Sequence, residues 1–274
     1  MATDLAVLLA CQRDDWAFVP GLARGLGLGV EVGDFADPDL LEGDWRALWQ
    51  EIRPLLERIP GERAMHGPRS DLNPGLRDRG LLAFIRERYR RTLEVALEIG
   101  AGAVVFHTGY NPLIRAPGFE RRWVQRSADF WREMGEEAGR MGVMILLENA
   151  WDPQPEILRD LVDAVDLPGV RACFDVGHAN AYSRRPAGEW LAVLGERVAQ
   201  VHLHNNDGRL DSHAPLDEGT VDFSRLLPLL ALAPQSPRLV LEVQGGREKV
   251  EESLAYLQRL GVRFGSRGRL STDH

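Results

Sequence analysis

The chain has 274 residues, 44% of them hydrophobic, and a formal charge of −8. Such a length holds one large domain or two small ones, and the acidic balance argues against a surface that follows nucleic-acid phosphates. No stretch approaches the roughly 18 apolar residues of a membrane-spanning helix. The short run LAVLLAC follows Asp4 and does not read as a signal peptide, and Cys11 and Cys173 read as reduced, buried thiols. The expectation is a soluble cytoplasmic protein with a small-molecule substrate and no membrane or nucleic-acid partner; a homo-oligomer stays open.

Strand-like runs recur from one end to the other: Leu5–Ala10, Gly29–Phe35, Arg63–Gly67, Ala103–Thr108, Val143–Asn149, Val170–Val176, Ala199–His204 and Arg238–Val243. Stretches of 3.6-residue periodicity separate them, clearest at Leu81–Ile99, Glu120–Met141, Pro155–Val165, Glu189–Arg197, Phe223–Ala231 and Val250–Leu260. Pro155 suits a first helical turn, Gly100 and Gly142 suit helix ends, and Asp222 suits an N-cap. One strand and one helical segment in about 32 residues is the proportion of a (β/α)8 TIM barrel of about 250 residues. The rival is a doubly wound open sheet, with its site in one switch-point crevice. No linker divides the chain, so residues 1–262 read as a single-domain barrel and residues 263–274 as a polar tail.

Six histidines sit at or just past strand ends: His66, His107, His178, His202, His204 and His213; the seventh, His274, is the last residue. Glu148, Asp175 and Glu242 hold the same kind of place. Side chains two apart share a strand face. Met144, Leu146 and Glu148 therefore share one, as do Ala64 and His66, His202 and His204, and Val240 and Glu242. Each such strand shows apolar filling below and a ligand-type residue at its C-terminal mouth, where barrel enzymes keep their chemistry. Buried polar groups are costly unless paired or bound to metal, so a ring of imidazoles and carboxylates points to a divalent-metal site. Polar residues closing six different strands fit a ring better than a crevice.

The segments LLENAWDPQP, CFDVGHANAY, VHLHNNDGRLDSHAPLDEGTVDF and LVLEVQGG carry a family likeness. The chain resembles the xylose-isomerase-like TIM-barrel superfamily of sugar isomerases, 3-epimerases and the endonuclease IV group. The isomerase and epimerase branch implies one Mn2+, Zn2+, Mg2+ or Co2+ ion on Glu148, Asp175, His202 and Glu242. It also implies that Glu148 and Glu242 pass a proton through an enediolate of a small sugar, sugar phosphate or related polyhydroxy carbonyl compound. The endonuclease IV branch, a hydrolase or phosphodiesterase, implies up to three ions on His66, His107, Glu148, Asp175, His178, His202, Asp211, His213 and Glu242. Against that group's pattern, His204-Asn205-Asn206 replaces Asn-Asp-Ser, and the neighbours of His66 and Glu148 differ. The likeness ranks sugar isomerase or epimerase first and the hydrolase second.

Within the first branch, His66 and His107 bind substrate hydroxyls or a second metal, and His178 orients substrate or a metal ligand. Softer readings attach to four residues: His204 as a substrate contact, Trp151 as a sugar platform or core closure, Arg184 as a phosphate contact or solvated loop, and Glu31 as a pocket residue or ion-pair partner.

Overall fold

The computed structural model describes residues 5–69, 72–233 and 235–264. In chain order these form β1 Val7–Cys11, α1 Val19–Leu26, β2 Gly29–Val32, α2 Pro38–Glu42, α3 Trp45–Leu56, β3 Arg63–His66, α4 Arg79–Ile99, β4 Ala103–His107, α5 Phe119–Arg140, β5 Met144–Glu148 and α6 Pro155–Val165. They continue with β6 Val170–Asp175, α7 Val176–Tyr182, α8 Ala187–Leu194, β7 Val198–Leu203, α9 Phe223–Ala231, β8 Arg238–Leu241 and α10 Gly246–Arg259. Each strand pairs in parallel with the next, and β8 pairs with β1, so the sheet closes into a (β/α)8 barrel and the open-sheet alternative is excluded.

Strand alternation divides the core in two. Outward residues such as Leu9, Val32, Met65, Phe106, Leu147, Phe174, Val201 and Leu241 pack into one large cluster with the helices. Inward residues are smaller and form two plugs: Leu8, Ala64 and Val240, and Ala103, Val105, Leu146 and Cys173. Small filling at the base leaves the next inward position on each strand to the polar residues. Register then sets their levels: His107 lies opposite Glu148, and Asp175 opposite His202. Cys11 and Cys173 are free and buried, and burial pushes both thiols up.

Helix signals act where expected. Asp222 accepts from Ser224 N, Pro155 opens α6, and Gly100 ends α4 at φ +73°. Several element ends differ from the sequence expectation, among them α10, which starts at Gly246 rather than Val250, and the following three. β2 stops at Val32, because the Asp34 carboxylate accepts from Arg13 N at 2.7 Å and Trp16 Nε1 at 2.8 Å and turns the chain. β6 stops at Asp175, which caps α7 by accepting from His178 N at 2.6 Å; Val176 is helical. The helix expected at Glu189–Arg197 is α8, shifted towards the N-terminus and followed by a tight 3-10 turn at Gly195–Arg197. Residues 265–274, most of the expected tail, and His274 with them, lie outside the described residues. Among the described residues, no helix is long and apolar enough to cross a membrane.

Candidate metal centre

The strand ends bring the expected residues together at the barrel mouth. Among the described residues, three sets of donor atoms each lie within 4.8 Å of one another: His66, Glu148 and His202; Glu148, Asp175, His202 and Glu242; and His178, His204, Asp211 and His213. Glu148 belongs to the first two sets and is fully buried. Its Oε2 faces His66 Nε2 at 3.1 Å and His107 Nε2 at 3.2 Å. Its Oε1 faces His202 Nδ1 at 3.0 Å and His178 Nδ1 at 3.5 Å. His202 Nδ1 also lies 3.2 Å from Glu242 Oε2 and 3.6 Å from Asp175 Oδ2.

The outer edges of the imidazoles are anchored. Nδ1 of His66, His178 and His213 donates to the carbonyls of Gly67, Asn149 and Glu242 at 2.8, 2.9 and 2.9 Å. A carbonyl only accepts, so each Nδ1 carries the proton and a neutral ring turns the Nε2 lone pair inward. There it meets carboxylate oxygen: Glu148 for His66, and Asp211 for His178 at 3.2 Å and His213 at 3.5 Å. Two acceptors at such distances repel unless a cation lies between them, either a proton or a metal. Glu148, Asp175, Asp211 and Glu242 crowd this mouth with Glu31 beneath it, and Arg69 brings a guanidinium to 3.7 Å from Glu242 Oε1. Nitrogen and oxygen donors with outer hydrogen bonds fit Mn2+, Zn2+, Co2+ or Mg2+.

Protonation follows the same logic. Burial pulls His178 down, but Asp175 and Asp211 override it and raise the ring to about 10. Burial likewise opposes His213, which Asp211 and Glu242 raise to about 9. Burial pushes the Glu148 carboxyl up, yet His202 and His107 hold it well below the usual range. Metal-free protein at pH 8 therefore keeps protons on His178 and His213, and also on His202, which burial opposes but Cys173, Glu31, Glu148 and Glu242 hold well above the usual imidazole range. A bound cation requires neutral imidazoles and must expel them. Titrating Zn2+ into metal-free protein at pH 8, with calorimetry in buffers of different ionisation heat, is expected to register about three released protons, one each from His178, His202 and His213. The number should fall as pH rises through 9 to 10. Binding without proton release at pH 8 would contradict this arrangement.

Other expected residues fall in different places. Glu31 points into the barrel beneath the mouth, 3.2 Å from His202 Nε2, and accepts from Gln200 Nε2 at 2.6 Å. It is thus a partner of a metal-type ligand rather than of solvent. Trp151 is 43% exposed past β5, available as a platform and not part of the core. Arg184 is exposed beyond α7, while its neighbour Arg185 pairs with Glu156 and Glu189. His204 is fully buried among the donors, with Nε2 3.1 Å from Asp175 Oδ1. Sequence reasoning gave no site role to Arg69, Asn149 or Gln200. Asn149 accepts from Asp175 N and donates to Asp175 O, both at 2.9 Å, clamping β5 to β6 at the site. Its signal was its place next to Glu148 on a strand that must pair on both sides.

The class so defined is a closed parallel (β/α)8 barrel with clustered donor groups able to hold a metal ion at its C-terminal mouth. A profile of the xylose isomerase-like TIM barrel family matches residues 23–260, and the chain belongs to that family. The structure of the TTHB071 protein of Thermus thermophilus, from crystals soaked with ZnCl2, is 35% identical, superposes with a TM-score of 0.76 and covers 93% of this chain and 98% of its own. That of a D-tagatose 3-epimerase-like protein is 26% identical at a TM-score of 0.70, over 84% and 87% of the two chains. A Mycobacterium leprae protein described as a probable endonuclease 4 is 27% identical over 63% of this chain and 69% of its own. Two uncharacterized proteins of Methanocaldococcus jannaschii, 31% and 26% identical, align over 62% of their own lengths.

Proposed function

We propose that the chain is a metal-dependent enzyme with more than one divalent cation, acting hydrolytically on a small phosphate ester of sugar type. The observation that carries this is Glu148: both oxygens are committed, each to a different pair of histidines, and the side chain is closed to solvent. That suits a carboxylate shared between two cation sites better than one that exchanges protons with substrate. His66, His107 and Glu148 would hold one ion, Glu148, Asp175, His202 and Glu242 a second, and the group around Asp211 a third. When bound, such ions polarise phosphoryl oxygens and activate water near neutral pH. The chain's own residues do the rest. Asn149 and the α7 cap fix Asp175. Glu242, 12% exposed, is the carboxylate of its group that opens to the mouth and takes the proton of an attacking water. Arg69, 34% exposed beside it, holds an anionic group on the open side.

The same Glu242 supports a second reading. Glu148 and Glu242 converge on His202 from β5 and the end of β8, the arrangement for isomerising or epimerising a small polyhydroxy carbonyl compound by proton removal and return through an enediolate. Likeness to a D-tagatose 3-epimerase-like protein points the same way.

Charge favours a small substrate over nucleic acid in this reading: 33 Lys and Arg face 41 Asp and Glu. Duplex binding draws mainly on Lys and Arg contacts to phosphate. The chain has a single lysine, Lys249, which lies on α10 and is paired with Glu218 and Glu252. With added Zn2+ or Mn2+, we expect hydrolysis of bis(para-nitrophenyl) phosphate, lost in His107→Ala. An abasic duplex should escape specific incision and bind weakly and salt-sensitively. Efficient, His107-dependent incision would move the substrate to DNA. No ester hydrolysis, together with solvent-deuterium exchange into sugars, would put the second reading first.

A further inference from the structure

His204 stands outside the nine residues that the endonuclease-type likeness implies, and it occupies the position where that pattern departs. Its ring is fully buried. It lies flat on His213, with centroids 3.9 Å apart and planes 10° from parallel. The opposite constraint is Gly177: a Cβ there would come within 1.9 Å of His204 Cε1, so the glycine of FDVGHA makes room for this imidazole. Among the described residues Nδ1 has no hydrogen-bond partner, and Nε2 is the nitrogen that faces the carboxylates. It faces Asp175 Oδ1 at 3.1 Å and Asp211 Oδ1 at 3.7 Å; that Asp211 oxygen is itself buried without a hydrogen bond among the described residues.

Around Asp211, the Nε2 atoms of His178, His213 and His204 stand 3.2, 3.5 and 3.7 Å from carboxylate oxygen. The first is within hydrogen-bond range and the other two run past it, while donor atoms about 2.0–2.1 Å from a tetrahedral ion lie about 3.3 Å from one another. The backbone is bent to this purpose. His213 has φ +46°, a left-handed conformation costly for a side chain of this size. It is held by the pairing of Asn205 with Ala214 and by Gln244 N donating to His213 O.

We infer that His204 is a fourth protein ligand, so that His178, His204, Asp211 and His213 form a closed site for one divalent cation. Four protein donors fill a tetrahedral ion, whereas three leave a position for water. The cation here is accordingly a fixed, structural one that shapes the wall of the mouth. Reactive positions remain with the groups that share Glu148. This rests on the polynuclear reading above.

The test counts ions and reads their coordination in the full-length protein. Wild type, His204→Gln, His204→Ala and His178→Ala are loaded with Zn2+, dialysed against increasing chelator and analysed for metal; Co2+-loaded samples give the visible spectrum. His204→Gln keeps a donor towards Asp175, and melting of the metal-free variants checks folding. In wild type we expect one ion to resist chelator longest and Co2+ to absorb with four-coordinate intensity. In both His204 variants that ion should bind at least about 100-fold more weakly, the effect being no smaller than loss of an outer partner, with the remaining ions retained. His178→Ala should remove the same ion. An unchanged ion count, chelator resistance and Co2+ spectrum in His204→Gln would overturn the inference and leave His204 as a hydrogen-bond donor to Asp175. Loss instead of the ion that Glu242→Gln removes would overturn it too. A wild type holding one ion would sink the polynuclear reading. The closed site would survive that result only if the single ion is lost in His178→Ala and weakened in His204→Gln, and would otherwise fall with it.

Discussion

Chelation at neutral pH is expected to strip divalent ions from the purified protein and lower its melting temperature by about 10 °C. A ligand that binds only the native state stabilises it by about 4 kcal/mol when free ligand is about 1,000 times Kd. In a chain of this size, each kcal/mol moves the melting temperature by about 2–4 °C. The structural reason is the crowding of Glu31, Glu148, Asp175, Asp211 and Glu242, whose mutual repulsion is relieved by the cations. Restoring Zn2+ or Mn2+ should restore the transition, and binding should weaken steadily as pH falls below about 9 to 10, where His178 and His213 gain their protons, because ligands must be deprotonated to bind. Protein that carries no metal by elemental analysis at pH 7.5, and melts identically with and without chelator, would remove the central claim.

The barrel was readable because its signals are local. Apolar runs such as AVVF and MILL end in His107 and Glu148, and period-2 alternation puts each on the inner face. Two strand ends differ because one polar residue serves two parts of the chain. Asp175 ends β6 and caps α7 at once, and Asp34 ends β2 by capturing Trp16 and Arg13 N from another part of the chain. A hydrophobic pattern carries no record of either bond. Short helices are as faint: α2 has five residues and α7 seven, too few to show a 3.6-residue period.

Site residues divide in the same manner. Those projecting from strand ends could be found in sequence, since burial of an acid or imidazole there demands a partner. Glu31 was seen but not its role, because its meeting with His202 joins residues 171 apart. Arg69 and Gln200 have no motif around them; only barrel closure brings Arg69 to Glu242 and Gln200 to Glu31. His204 is visible in HLH, but the reason its ring can fit, the missing side chain at Gly177, appears only when β7 and α7 are packed together.

Glu148→Gln should have the largest effect of any single substitution. It keeps the shape and removes the charge that faces His66, His107 and His202. An amide offers one acceptor oxygen, so it cannot serve two cation sites, and its NH2 would meet the edge of an imidazole instead. We expect the number of tightly held ions to fall by at least one and turnover to drop by more than about 100-fold, the size that even an outer-partner change reaches at metal sites. Glu242→Gln then separates the chemistries. If Glu242 accepts the proton of water, its variant slows ester hydrolysis while most ions stay bound. If the two glutamates shuttle a carbon-bound proton, wild type exchanges that proton with solvent deuterium and each variant stops the exchange. The comparison is a measurement of ion content, ester hydrolysis and deuterium uptake on the same three preparations. Wild-type ion content and wild-type turnover in Glu148→Gln would show that Glu148 is not the junction of the centre, and both readings of the site would have to be abandoned.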